Sequence, residues 1–161
     1  MTPPASFKAA RALAFALPLA LLLGALGSQY LGGLYPCEMC HWQRWPHYAA
    51  VALAGLAFLF PHRAPVALAG VLIVVSGAIG VFHAGVEYGW WEGITACAST
   101  IPAGGAATMD ELLDRIMKAP LIRCDLPQWT FLGISLAGFN ALLSIPGGLA
   151  VLVLLGQRKI A

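Results

Sequence analysis

Four cysteines carry the reactive chemistry of this chain. Cys37 and Cys40 stand two residues apart, whereas Cys97 and Cys124 are separated by residues 98–123. Two residues between thiols let a small ring close, and such pairs often hold one thiol at a lowered pKa. A helix beginning just after Cys40 would turn its positive N-terminal end on that sulfur and favour a thiolate there. Arg44 lies four residues further on, so it shares the helical face of Cys40 and adds a fixed positive charge.

Other chemistries use the same spacing. With His41 the run reads Cys-x-x-Cys-His, the pattern for covalent haem attachment. A haem needs an apolar shell and usually a second axial ligand, and the loop 34–42 is too short to wrap a porphyrin. Four-cysteine zinc sites pair two close knuckles, which the distant Cys97 and Cys124 do not form. That distant pair suits a loop-closing disulfide, which as a passive staple stabilises by roughly 3–4 kcal/mol. The sequence therefore expects neither haem nor metal. A structural membrane protein with two passive disulfides stands as the alternative to thiol exchange, and a haem or metal protein ranks below it.

His83 is the remaining candidate. Ser76, Gly80 and Ala84 form a stripe of small residues at helical spacing, and His83 falls beside it. The imidazole should face the interior of a helix bundle, and an ionisable group at membrane depth is a functional candidate by default. His41, His47 and His62 are placed at interfaces and given no role.

These residues need positioning elements, and the composition says which. Hydrophobic residues make up 60% and charged residues 10% of the 161, with a mean hydropathy of +0.80. Such a chain has too little polar surface to cover itself in water, so a bilayer is its solvent. Uncharged runs lie between Arg11 and Glu38, Arg44 and Arg63, Arg63 and Glu87, and Asp125 and Arg158. A spanning helix needs roughly 20 apolar residues, which predicts spans near 12–33, 43–61, 65–86 and 129–155 in one domain, 1–161. Pro46 then falls near the start of the second span, where its missing N–H costs least. The first run is too long for the apolar core of a cleaved signal peptide, although Lys8 and Arg11 precede it and Ala25-Leu26-Gly27 resembles a cleavage site.

Four spans put both termini and the 61–64 turn on one side. Lys8, Arg11, Arg63, Arg158 and Lys159 lie there without an acid, so the positive-inside rule makes the termini cytoplasmic. All four cysteines then face outward, in loops 34–42 and 87–128, where disulfides persist. The net charge of +2 gives no indication of nucleic acid. In the second loop Met109, Leu112, Leu113, Ile116 and Met117 share one helical face. Thr108 and Glu111 fit a capping box, and Pro120 ends the segment. It reads as a short amphipathic helix lying in the membrane interface. Trp42, Trp45, Trp90, Trp91 and Trp129 gather at the same boundary as an aromatic belt.

Taken in order, these residues resemble the DsbB family of quinone-reducing membrane proteins. The matching elements are Cys37-x-x-Cys40 with Arg44, His83-x-x-Val86-Glu87, the pair Cys97 and Cys124, and Trp129-x-Phe131-Leu132-Gly133 opening the last helix. The resemblance implies an all-α membrane protein, a four-helix transmembrane bundle with a short interfacial helix in its second periplasmic loop. It implies a multi-pass protein of the bacterial inner membrane that reoxidises a DsbA-type periplasmic thiol oxidase. In this relay Cys97 is attacked first. Cys37 is the exposed partner for exchange, and Cys40 is a thiolate held by Arg44 that faces ubiquinone or menaquinone. Arg44, His83 and Cys40 are expected to bind the quinone. The chain departs from better-known members in Gly104-Gly105, in its charged amphipathic stretch, and at Leu136, where some members carry a methionine near the quinone.

Overall fold

The computed structural model describes residues 4–94, 98–99, 108–118 and 121–157, with some of these described as backbone only. Cys97, Gly104, Gly105, Arg158 and Lys159 lie outside the described residues. Among the described residues five helices form: α1 (Ala5–Tyr30), α2 (Glu38–Leu59), α3 (Arg63–Glu87), α4 (Met109–Lys118) and α5 (Leu136–Gly156). Two small antiparallel pairings accompany them, β1 (Ala98–Ser99) with β2 (Leu121–Ile122), and β3 (Thr130–Phe131) with β4 (Ile134–Ser135).

The four long helices close a bundle in which α1 touches α2 and α5, and α3 touches the same two from the other side. Its interior is rich in small side chains: Ala10, Ala14, Ala50, Ala54, Ala57 and Ala69 are all fully buried, beside a few larger ones such as Phe7, Val66, Ile73 and Val151. Many large apolar side chains point outward, among them Leu23, Leu56, Phe58, Leu68, Val75, Leu142, Leu149 and Val153. A soluble bundle has the reverse arrangement. Here outer apolar groups meet lipid, and small inner residues let backbones approach. α1, α3 and α5 are each long and apolar enough to cross a membrane. α2 has comparable length, 22 residues, but its first half carries Glu38, Gln43, Arg44 and His47.

α3 and α5 approach each other backbone to backbone. A Cβ added at Gly148 would stand 2.8 Å from the Gly70 carbonyl oxygen and 3.0 Å from the Val74 nitrogen. Gly148→Ala should therefore part the two helices, costing about 1–3 kcal/mol and lowering the thermal midpoint in detergent. Gly156→Ala, with nothing within 4 Å of its Cβ, should leave that midpoint unchanged.

At the end that holds the chain termini, basic side chains cap helix carbonyls. Arg11 donates to the Ala57 carbonyl at 2.9 Å and lies over the Phe58 ring, and Arg63 donates to the Leu155 carbonyl. Cations at helix C-termini offset the negative end of the macrodipole. α4 forms where the amphipathic stretch was expected, directly after Thr108, and exposes Met109, Leu113 and Met117.

Three boundaries differ from expectation. The last helix begins at Leu136 rather than 129, because residues 130–135 form a hairpin whose central residues, Leu132 and Gly133, both have positive φ. The Trp129–Gly133 motif is thus a hairpin and not a helix opening. α2 begins at Glu38, so Pro46 lies well inside it. α1 starts at Ala5 and ends at Tyr30, earlier at both ends than the 12–33 expected.

Candidate active site

The site is assembled at the N-terminal end of α2. Cys37 is the N-cap: its backbone is extended, and its Sγ accepts from the Cys40 N–H at 3.3 Å. This cap starts the helix three residues before the expected point, so Cys40 sits inside the first turn rather than ahead of it. Both sulfurs still lie at the positive end of the helix, where a thiolate is favoured. The Sγ atoms are 2.9 Å apart. They precede the apolar part of α2, and their acidities are driven apart. The hydrogen bond from Cys37 holds the Cys40 thiol below its ordinary value, and the Arg44 charge adds to this against the cost of burial. Cys37 is pushed up, first by that same hydrogen bond and then by its own burial.

Cys37 is not the exposed partner. It is 3% exposed and packs with Met39, Val86 and Cys124. Cys124 packs against this cluster, so it covers Cys37 from the loop side. Several contacts hold Cys124 in place. The Gln128 side chain pairs with the Tyr35 backbone, accepting from its N–H at 3.0 Å and donating to its carbonyl. Arg123 grips Asp125 through two hydrogen bonds, one of 2.8 Å, which holds the Asp125 carboxyl below its usual range. The Tyr88 hydroxyl donates to the Gly133 carbonyl and accepts from the Ser135 N–H, each at 2.9 Å. Cys97 is outside the described residues, and its neighbour Ala98 pairs with Ile122.

His83 faces the bundle interior, as its stripe implied, and is 2% exposed. Its Nε2 lies 3.5 Å from Cys37 Sγ and 3.7 Å from Glu87 Oε1. Its Nδ1 accepts from Gln43 Nε2 at 2.8 Å. The Gln43 amide can be oriented only one way: its Nε2 also donates to the Met39 carbonyl, and its Oε1 accepts from Asn140 Nδ2. Nε2 of His83 therefore carries the proton. Two sulfurs and this nitrogen lie within 4.8 Å of one another, and the imidazole presents the sulfurs with an N–H rather than a lone pair.

Behind His83 runs a polar chain that sequence reading missed. Asn140 Nδ2 donates to the Ser76 carbonyl at 3.1 Å, and Asn140 Oδ1 accepts from Ser144 Oγ and from His47 Nε2 at 2.8 and 2.9 Å. Ser76 Oγ donates to the Gln43 carbonyl and accepts from His47 Nε2. His47 is 3% exposed and so is an interior residue, contrary to the interfacial placement. The signal was present in the spacing: Met39, Gln43 and His47 fall at i, i+4 and i+8 on α2, with Asn140, Ser144 and Gly148 likewise on α5.

Arg44 donates to Gln29 Oε1 and, at 3.2 Å, to the Ala25 carbonyl, which ties α2 to the last turns of α1. Beside it a cavity of about 200 Å³ opens between α1, α2 and α5. Cys40, Arg44 and His47 supply polar groups along its α2 wall, and Leu22, Leu136 and Phe139 are among its apolar ones. A cavity of roughly 150 Å³ accommodates a benzene ring, so one flat ring fits. His83 is not among the lining residues; it lines a smaller cavity of about 50 Å³ with Cys37, Cys40 and Glu87. The two cavities share Cys40, Arg44, Leu136 and Ala137, and in the smaller one His83 stands beside Cys37.

A family model described as disulfide bond formation protein DsbB matches residues 7–155. Among curated proteins, uncharacterized protein RP370 of Rickettsia prowazekii (strain Madrid E) is 23% identical over 120 residues, covering 73% of this chain and 70% of the relative. No solved structure matches.

Proposed function

The chain belongs to the DsbB family of disulfide-generating membrane oxidoreductases, and we propose that it reoxidises a DsbA-type thioredoxin-fold thiol oxidase and delivers the electrons to a membrane quinone. One observation carries this reading. Cys37 is covered by Cys124 on the loop side, while its neighbour Cys40 opens on a ring-sized apolar cavity.

The steps follow from that placement. A thiolate of the reduced partner attacks Cys97 of a Cys97–Cys124 disulfide, and Cys124 leaves as a thiolate. The partner's second thiol resolves the mixed disulfide, which oxidises the partner and leaves Cys97 reduced. Cys124 then attacks Cys37 of the Cys37–Cys40 disulfide, and Cys40 leaves as the thiolate its surroundings favour. Cys97 closes again on Cys124 and releases Cys37. Cys37 and Cys40 re-form their disulfide as two electrons and two protons pass to a quinone, giving quinol. The net change is one partner disulfide formed and one quinone reduced.

His83 presents its Nε2–H to Cys37 and handles the proton there. Arg44 supports the Cys40 thiolate and the charge developing on the quinone. The reading includes four membrane crossings, with α2 as the fourth, cytoplasmic termini and a periplasmic cysteine site. α4 lies in the membrane interface on Met109, Leu113 and Met117, steadying the loop that carries Cys97 and Cys124.

Trapping tests the exchange step. With Cys40→Ser the Cys37 thiolate has no disulfide partner of its own and attacks Cys124 of the Cys97–Cys124 disulfide, expelling Cys97 as a thiolate, so a Cys37–Cys124 disulfide should accumulate and be identified by proteolysis and mass spectrometry. A Cys37–Cys97 link in its place would reverse the order of the relay.

A further inference from the structure

The Gln128 side chain pairs with Tyr35 as a neighbouring strand would. Its Oε1 accepts from the Tyr35 N–H at 3.0 Å, and its Nε2 donates to the Tyr35 carbonyl. A residue in an antiparallel ladder offers the same donor and acceptor to its opposite number. Both joined positions stand near a sulfur in sequence: Tyr35 lies two residues before Cys37, and Gln128 lies four after Cys124. Each connection contains a proline, Pro36 in one and Pro127 in the other. The proline ring fixes its own φ and narrows the residue before it. Movement at the amide is thus passed on to the sulfurs instead of being absorbed between them. Leu126 and Gln128 line the cavity of about 50 Å³ that Cys37 and Cys40 also line, and Cys124 packs on the Cys37 cluster. The Tyr88 bonds, by contrast, tie α3 to the hairpin.

We propose that Gln128 is a positioning residue for exchange between the two cysteine pairs: it holds Cys124 on Cys37 and serves neither the partner's attack nor the quinone. This rests on the two-pair relay. In the step concerned the Cys124 thiolate bonds to Cys37, the Cys37–Cys40 bond breaks, and Cys40 leaves with the electron pair as a thiolate. The Cys37–Cys40 disulfide is the only oxidant consumed. A nucleophile held at its target reacts at high effective concentration, and small displacements cost much of that advantage. Both bonds to Tyr35 are exposed, where each hydrogen bond has a modest net effect. The tie therefore biases the loop toward Cys37 without locking it there.

The test uses the full chain in detergent, anaerobically and without quinone, mixed with excess reduced DsbA-type oxidase. Samples are quenched in acid at timed intervals and alkylated, and mass spectrometry counts the thiols at each pair. Thiols should appear at Cys97 and Cys124 in a first phase and at Cys37 and Cys40 in a second. Gln128→Met keeps the bulk of the side chain and removes both bonds. It should slow the second phase about tenfold, the effect of two exposed hydrogen bonds, leave the first within twofold, and keep the thermal midpoint. Gln128→Ala should behave in the same way, and because Gln128 is exposed neither variant disturbs the bundle. An unchanged second phase would overturn the assignment. So would equal slowing of both phases, the mark of a loop that has lost its shape. Should Cys37 and Cys40 stay oxidised in the protein with Gln128, the relay itself fails, an outcome distinct from loss of the tie alone.

Discussion

Serine at Cys37, Cys40, Cys97 or Cys124 abolishes turnover of a reduced thioredoxin-fold partner, with rates falling by at least about a thousandfold. A thiol exchange chain has no substitute for a missing sulfur, and removing a nucleophile costs catalysis on this scale or more. The four variants stop at different points. Cys97→Ser forms no mixed disulfide with the partner, because the sulfur under attack is gone. Cys37→Ser still oxidises one equivalent of partner through the Cys97–Cys124 pair, whereas Cys40→Ser halts with Cys37 joined to Cys124, and neither reduces quinone. The comparison also separates the account from a membrane protein with two passive staples. In that case the substitutions would lower the unfolding midpoint and leave no redox activity to lose. Full activity in any one of the four would break the two-pair relay.

Arg44→Ala has the next largest effect, and it falls on the quinone step. Arg44 lines the cavity beside Cys40 and is one of the causes lowering the Cys40 thiol. Removing it raises that thiol and withdraws a positive charge from the growing quinone anion. The Michaelis constant for quinone should rise about tenfold, equivalent to about 1.4 kcal/mol. The sign of the pH effect follows. The reactive species is the thiolate, so the rate of quinone reduction climbs as pH rises through the Cys40 pKa. With the pKa raised in Arg44→Ala, the climb moves to higher pH, and the deficit near neutrality narrows in alkaline buffer. Arg44→Lys keeps the charge but loses the two-pronged hold on Gln29 and Ala25, and should fall between. Formation of the mixed disulfide at Cys97 should be unaffected in both. Loss of that mixed disulfide with unchanged quinone affinity would place Arg44 in partner docking.

Much of this site was legible in the sequence. Cys37, Cys40 and Arg44 announce themselves by spacing, and the stripe of Ser76, Gly80 and Ala84 correctly turned His83 inward. What stayed hidden depended on packing between helices. Nothing along the chain says that Cys124 lies on Cys37, since that contact is set by the Gln128–Tyr35 and Tyr88–Ser135 bonds between distant segments. The sequence puts His47 at an interface only if the second span begins at 43. The Cys37 cap moves the helix start to Glu38 and carries His47 to the depth of Ser76 and Asn140. The hairpin at 130–135 looks like helix in the sequence because Trp129 to Gly133 is mostly apolar and uncharged, and short runs of that kind do not distinguish helix from strand. The positive φ of Leu132, at 51°, gives no sequence signal at all, because leucine seldom adopts it.

The central claim is that electrons enter at a partner thiol and leave on a quinone through two cysteine pairs. The direct measurement mixes the purified protein, anaerobically, with reduced DsbA-type oxidase and decylubiquinone, and follows quinone absorbance and partner thiols together. One quinone should be reduced for each partner disulfide formed, over many turnovers. Partner oxidation that stops after one equivalent with no loss of quinone would contradict the account.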